Sequence, residues 1–182
     1  MDVVISWLRS AGSSAMVKPR CALERHAANL ADATERREAL ERLCPADRKI
    51  LVLTEGVVPY LSNADVAALA EDLRARPSIV GWIAEYFSER VLQYRAQRMA
   101  RATENAPFLF HPPEWLAFFA AHGWTQREAR YLPVEGQRLG RPFPGSPVVR
   151  AMMLIAKLLG PKAKASALQS MGYVLYAPSS AR

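Results

Sequence analysis

The sequence has few of the residues that build metal centres or disulfides. Its 182 residues include two cysteines and three histidines. Cys21 and Cys44 show no CxxC spacing, and the histidines are scattered along the chain, so no zinc pattern can be assembled. We therefore expect structural cysteines, no bound metal and no disulfide.

Long apolar runs and a basic leader are also missing. The longest strongly apolar run, residues 148–159, is interrupted by Arg150 and Lys157. It is shorter than the roughly 20 residues that a bilayer span requires. Asp2 directly follows Met1, which is untypical of a secretory signal. These absences predict a cytoplasmic protein with no membrane segment.

The basic residues are numerous but not clustered. There are 24 basic and 17 acidic residues, with a net charge of +7. Arg36, Arg37 and Arg42 alternate with glutamates, a mixture that predicts a solvated helix face. No zinc finger, RNP-like run or interleaving of basic and aromatic residues is present. A basic nucleic-acid binder is therefore the third-ranked function, and we expect no nucleic-acid partner.

Length and patterning predict one α/β domain over residues 1–182. Helical and extended segments alternate, which favours a parallel or mostly parallel sheet with flanking helices. The continuous apolar run of the second predicted strand indicates burial on both faces. The predicted strands cover residues 20–28, 49–53, 79–87, 126–132 and 172–177. The predicted helices cover residues 33–43, 62–76, 88–103, 112–122 and 148–159, with a loop over residues 133–147.

Candidate site residues follow two of the predicted strands. In open α/β sheets, ligands bind at the carboxyl ends of strands. Asn29 and Leu30 follow the first strand, and Thr54, Glu55 and Gly56 follow the second. Glu55 could hold a cationic ligand, and Gly56 permits close approach of the backbone. From the pattern alone, a purely structural role for Glu55 in its loop is equally probable.

Three segments resemble the leucine carboxyl methyltransferase family. PRCALERHAANLAD at residues 19–32 resembles its third-strand segment, and ILVLTEGVVPYL at residues 50–61 resembles its fourth-strand segment. FLFHPPEWLAFFAAHGW at residues 108–124 is similar to the helix before the sixth strand. The resemblance spans residues 19–132, with looser similarity beyond. It implies a Rossmann-like class I methyltransferase that uses S-adenosyl-L-methionine to methylate a carboxylate or hydroxyl oxygen.

The resemblance also implies cofactor-binding residues. Asn29 and Leu30 match the pair that faces the adenine, with Asn29 in place of an acidic residue. Glu55 matches the loop carboxylate near the methionine part of the cofactor. Thr54 and Gly56 flank it, and Tyr60 would line the same cavity. The Asn29 side-chain carbonyl can still accept a hydrogen bond from an adenine amino group. The resemblance assigns no catalytic residue.

The sequence departs from the family at its start. A class I methyltransferase has a glycine-rich loop after its first strand and an acidic residue after its second, and neither is found here. The pattern predicts an N-terminally truncated fold that starts in the helix before the third strand. The expected function is an O-methyltransferase acting on a carboxylate or hydroxyl of a small molecule or protein, or a form of such an enzyme that truncation has inactivated. The alternative is a non-catalytic remnant or protein-interaction module that self-associates through exposed strand edges.

The remaining conspicuous side chains indicate structure. Trp115, Phe118 and Phe119 recur at helical spacing and predict a packed core. His111 and His122 flank the same helix, where turn and surface positions are expected.

Overall fold

The computed structural model describes residues 4–5, 23–24, 26–98, 107–141 and 160–180. Two short strands form one small sheet: β1 (Val4–Ile5) and β2 (Leu23–Glu24). Four strands form the main sheet: β3 (Ile50–Thr54), β4 (Ile79–Phe87), β5 (Trp124–Tyr131) and β6 (Met171–Pro178). The helices are α1 (Ala33–Leu43), α2 (Asn63–Arg74), α3 (Glu89–Arg98), α4 (Trp115–Ala121), α5 (Leu132–Arg138) and α6 (Pro161–Leu168). A 3₁₀ turn covers Val58–Tyr60.

The main sheet is mixed, in the order β3-β4-β6-β5. β3 and β4 are parallel, whereas β6 is antiparallel to both β4 and β5. Strands β3, β4 and β5 therefore run in the same direction. Their carboxyl ends lie at the end of the sheet where β6 begins. The α/β class predicted from the sequence is confirmed. The expectation of a parallel or mostly parallel sheet is wrong for two of its three pairings, because β6 enters between β4 and β5 from the opposite direction.

One face of the main sheet carries the aromatic core. Trp82 meets Phe119 and Trp124 edge-to-face at ring-centroid distances of 5.1 and 5.5 Å. Tyr176 stacks on Phe119 at 4.6 Å. The Trp124 indole donates to the backbone oxygen of Ala70, which ties α2 to this face. The prediction of a packed core at Trp115, Phe118 and Phe119 is confirmed, since Trp115 and Phe119 are buried and the partly buried Phe118 packs against the core.

Helix α2 shows why the sequence pattern predicted it. Ser62 caps its first turn by accepting from the Asp65 N–H at 3.1 Å, and Asp65 accepts in return from the Ser62 N–H. This capping box satisfies backbone donors that the helix itself cannot. Four apolar residues recur at helical spacing along this helix and are all buried: Val66, Leu69, Ala70 and Leu73.

The opposite face of the sheet is partly open. Leu51 and Leu53 are 55% and 49% exposed, although Thr54 is buried. The prediction that both faces of this strand are buried is therefore wrong. Within the described part of the chain, β3 has a strand neighbour on one side only. Its alternate side chains point away from the core, so a continuous apolar run does not report two-sided burial here.

Arg36 corrects the prediction of a solvated α1 face. It is 2% exposed and donates from Nε to Asp72 Oδ2 at 2.7 Å. Its Nη1 also donates to the backbone oxygen of Leu30 at 2.8 Å. Arg37, the neighbouring partner of Asp72, remains mostly exposed. One arginine of this charged helix therefore joins α1, α2 and the segment before α1.

Several boundaries differ from the prediction. Helix α5 occupies the first part of the predicted loop over residues 133–147. Gly160, expected to end a helix, instead precedes α6 with a φ of 102°. Pro112 and Pro113 precede α4 rather than lying in its first turn, because the side chain of Glu114 caps that turn.

The N-terminal prediction is corrected in part. Val4–Ile5 form a strand parallel to Leu23–Glu24, not the start of a helix. Residues 26–28, which the sequence also assigns to the first strand, do not belong to a strand. The predicted helix over residues 148–159, the end of the predicted helix beyond residue 98, and Cys21 lie outside the described residues.

Candidate functional site

The candidate site lies at the carboxyl ends of β3 and β4. β3 stops at Thr54, whose register partner on β4 is Ala84. The next residue of β4, Glu85, is paired with Tyr173 on β6. Residues 55–57 leave β3 directly beside these two side chains. The turn at residues 55–57, the carboxyl group of Glu85 and the phenol of Tyr173 therefore lie next to one another at these strand ends.

Glu55 is exposed and has a defined partner. Its Oε1 accepts a hydrogen bond from the Tyr173 hydroxyl at 2.9 Å. Partial burial, together with this bond, raises the pKa of Tyr173 to about 12. Tyr173 is therefore protonated at neutral pH and acts as a donor rather than a base. The Glu55 carboxylate keeps lone pairs for a ligand while its orientation is restrained.

Glu85 is a buried carboxyl group with one atom unpartnered. It is 5% exposed, and its Oε1 accepts from the Val57 N–H at 3.0 Å. Its Oε2 is also buried, and none of the described residues is a hydrogen-bond partner for it. Burial raises the pKa of Glu85, and the nearby charge of Glu55 adds to this, while backbone N–H groups of Val57 and Gly56 oppose it. A buried polar atom without a partner is unusual in folded proteins.

Thr54 and Gly56 occupy different environments. The Thr54 hydroxyl is buried, accepts from the Trp82 indole at 3.0 Å, and lies 3.4 Å from the Ile83 carbonyl oxygen. The Thr54 side chain therefore packs in the core, and only the Thr54 backbone is at the candidate site. Gly56 has a φ of +67°, and apart from its chain neighbours no described residue has an atom within 4 Å of where a Cβ would stand. Space for a ligand therefore exists beside the Gly56 backbone.

Asn29 and Leu30 form a turn before α1. The Asn29 Oδ1 accepts from the Ala31 N–H at 3.1 Å, and the Asn29 N–H donates to Glu35 at 2.7 Å. Leu30 packs against the core. Among the described residues, no hydrogen bond joins Asn29 to Glu55. The side chains of Asn29 and Glu55 therefore have different hydrogen-bond partners.

Tyr60 is 41% exposed at the end of the 3₁₀ turn. Its ring meets Phe108 edge-to-face at 5.1 Å. The backbone oxygen of Pro59 accepts from the N–H groups of Leu109 and Phe110. These contacts fix the turn that follows Glu55 against residues 107–110.

The described histidines outside this site, and Cys44, occupy structural positions. His111 lies 2.8 Å from the Phe108 carbonyl oxygen, and His122 ends α4 with its ring 3.3 Å from Glu71. Cys44 is buried, as expected for a structural cysteine. No group of three metal-ligating side chains occurs among the described residues. The helices of the described ranges include none that is long and apolar enough to cross a bilayer.

Sequence reasoning missed Glu85 and Tyr173. The available signal for Glu85 was that it is the one charged residue in the nine-residue strand IVGWIAEYF. A lone carboxylate near the end of a buried strand needs a partner, which is a reason to place it at a site. Tyr173 had no comparable signal, because an aromatic residue in a strand is ordinary.

Comparison with known proteins does not supply a family. No protein-family model matches the chain, and no curated protein matches it. The family resemblance therefore depends on the sequence motifs.

Proposed function

We propose that this chain carries the Glu55 side of the S-adenosyl-L-methionine site of a class I O-methyltransferase. The observation that carries the proposal is the exposed Glu55 directly after β3, where its carboxylate accepts from the Tyr173 hydroxyl at 2.9 Å, because ligands bind at the carboxyl ends of strands in open α/β sheets. The resemblance of residues 50–61 independently assigns Glu55 to the cofactor.

The residues of the candidate site can make the contacts that such a cofactor requires. The exposed Glu55 carboxylate can accept hydrogen bonds from the cationic amino group of the methionine part. Open space beside Gly56 lets a ligand approach the backbone. Asn29 Oδ1 has a second lone pair beyond the one used by Ala31, so it can accept from an adenine amino group.

Methyl transfer requires positioning more than a dedicated nucleophile. S-adenosyl-L-methionine supplies a methyl group activated on a sulfonium. The protein contributes alignment of the acceptor oxygen and exclusion of water. Restraint of Glu55 by Tyr173 is consistent with such a role. We propose a small-molecule or carboxylate acceptor.

Calorimetric titration with S-adenosyl-L-methionine tests the proposal. We expect binding by the unmodified protein and a loss of about tenfold or more in Glu55→Gln, because a charge-assisted hydrogen bond contributes about 1.5–3 kcal/mol. Glu38→Gln, which changes an exposed charge on α1, is the matched control and should bind normally. A folded protein without measurable binding would contradict the proposal.

The open face of β3 favours one second candidate, a non-catalytic module that self-associates. Leu51 and Leu53 are exposed on β3, which is an edge strand of the main sheet as far as the described residues go, and such edges can pair with another copy of the chain. Sedimentation velocity would distinguish this candidate. It predicts a dimer that becomes monomeric in Leu53→Lys, whereas the methyltransferase proposal predicts cofactor binding whatever the oligomeric state.

A further inference from the structure

The turn after β3 is held at both of its ends. Tyr173 donates to the Glu55 side chain at 2.9 Å, and Glu85 accepts from the Val57 N–H at 3.0 Å. Glu85 and Tyr173 are register partners on the adjacent strands β4 and β6. Two neighbouring side chains of one sheet face therefore contact the first and the third residue of a three-residue turn.

The backbone of the turn is suited to these two contacts. The ladder between β3 and β4 ends at Thr54 and Ala84, so Val57 has no strand partner on β4. The Glu85 carboxyl replaces that partner. Gly56, between the two held residues, has a positive φ that other residues rarely adopt. A turn of this kind returns the Val57 N–H toward β4 after the chain has left the sheet.

We infer that Glu85 and Tyr173 are positioning residues that fix the orientation of the Glu55 carboxylate for its ligand. The inference about the ligand depends on the proposed function. The unpartnered Oε2 of Glu85 supports a role beyond packing, because an apolar side chain would fill the same buried position without leaving a polar atom unbonded.

Three variants separate positioning from packing. Glu85→Gln keeps an acceptor for the Val57 N–H but cannot ionise, whereas Glu85→Leu removes the acceptor. Tyr173→Phe removes the donor to Glu55. Tyr94→Phe changes an exposed tyrosine of α3 and is the matched control.

The first readout needs no ligand. Amide chemical shifts of Gly56 and Val57 report the turn directly. We expect near-native shifts in Glu85→Gln and in the control, and an upfield move of the Val57 amide proton in Glu85→Leu. In the unmodified protein the Val57 shift should respond to the ionisation of Glu85, which hydrogen-bonds this amide, as well as to that of the nearby Glu55. Glu85→Gln should remove the Glu85 part of this pH dependence and leave the Glu55 part. Native Val57 shifts in folded Glu85→Leu would overturn the inference.

The second readout is the affinity for S-adenosyl-L-methionine. We expect a loss of about tenfold in Glu85→Leu and in Tyr173→Phe, since a hydrogen bond to a charged group is worth about tenfold in affinity. Glu85→Gln keeps the acceptor, and its affinity should be within about threefold of that of the unmodified protein. Equal losses in Gln and Leu variants would contradict positioning through the acceptor. If Glu85→Leu fails to fold, the inference is still tested by the affinity of Tyr173→Phe and by the pH dependence of the Val57 amide shift. If the unmodified protein does not bind the cofactor, the proposed function fails, while the amide shifts still test the turn.

Discussion

Removal of Asp72 should destabilise the protein strongly and loosen one half of the candidate site. Asp72 accepts from Arg36, which is 2% exposed, at 2.7 Å. Asp72→Ala leaves a buried guanidinium without its counter-charge. Breaking a buried pair in this way costs about 3–5 kcal/mol, and we expect about 3 kcal/mol because Asp72 retains some exposure.

Urea unfolding followed by circular dichroism measures this effect. A loss of about 3 kcal/mol corresponds to a fall in Tm of about 6–12 °C for a domain of this size. Arg37→Ala is the matched control, because Arg37 contacts the same carboxylate at 3.2 Å but is mostly exposed. An exposed pair contributes less than about 1 kcal/mol. Equal effects of Asp72→Ala and Arg37→Ala would refute the reasoning.

The double variant Arg36→Met, Asp72→Leu gives a second test. It removes both charges and leaves apolar side chains, so it should be more stable than Asp72→Ala. Arg36 also donates to the Leu30 carbonyl oxygen at 2.8 Å. Hydrogen exchange at the Ala31 and Asp32 amides should therefore speed up in Asp72→Ala, and unchanged exchange there would show that the Arg36 contact does not restrain the turn.

Three further predictions concern the frame of the site. Gly172→Ala should unfold or severely destabilise the protein, because its Cβ would lie 2.1 Å from the Arg130 carbonyl oxygen; a native melting curve would contradict this. Ser62→Ala should cost about 1 kcal/mol in urea unfolding through loss of the helix cap, and a change below about 0.3 kcal/mol would argue against the capping box. Burial raises the pKa of Glu85 in the folded state, so the stability it contributes is present at low pH and is lost as the pH rises through that pKa. Glu85→Gln should make the free energy of unfolding less dependent on pH. An unaltered pH profile of stability in this variant would contradict the proposed contribution of Glu85.

Local patterns predicted the elements that depend on local chemistry. Helix α1 and strand β4 have the predicted bounds, 33–43 and 79–87. The cap at Ser62 follows directly from its spacing to Asp65. These features depend on residues within one or two turns of each other, and their side chains carry the signal.

Arg36 shows where a charge pattern misleads. It was assigned to a solvated face because glutamates surround it in the sequence. Its helical neighbours at i+3, i+4 and i+7 are Ala39, Leu40 and Leu43, which lie on the packed side of α1. Position on the apolar stripe therefore outweighs the charge of the adjacent residues in deciding burial.

Strand direction and edge position could not be predicted. An antiparallel strand such as β6 has the same residue types as a parallel one, and its pairing depends on residues far away in the chain. The open face at Leu51 likewise depends on what covers the sheet. Of the candidate site, Glu55 and Gly56 followed from their place after a strand, whereas the contacts with Glu85 and Tyr173 required the fold.

Residue-resolved mapping of S-adenosyl-L-methionine binding tests the central claim most directly. Titration of the ¹⁵N-labelled protein should shift the amides of Gly56 and Val57 and those around Asn29. Amides of α4, on the opposite face of the sheet, should stay unchanged. Saturable shifts confined to the first set are the predicted result. Absence of shifts at Gly56 and Val57 at saturating cofactor, in a protein that remains folded, would contradict the account.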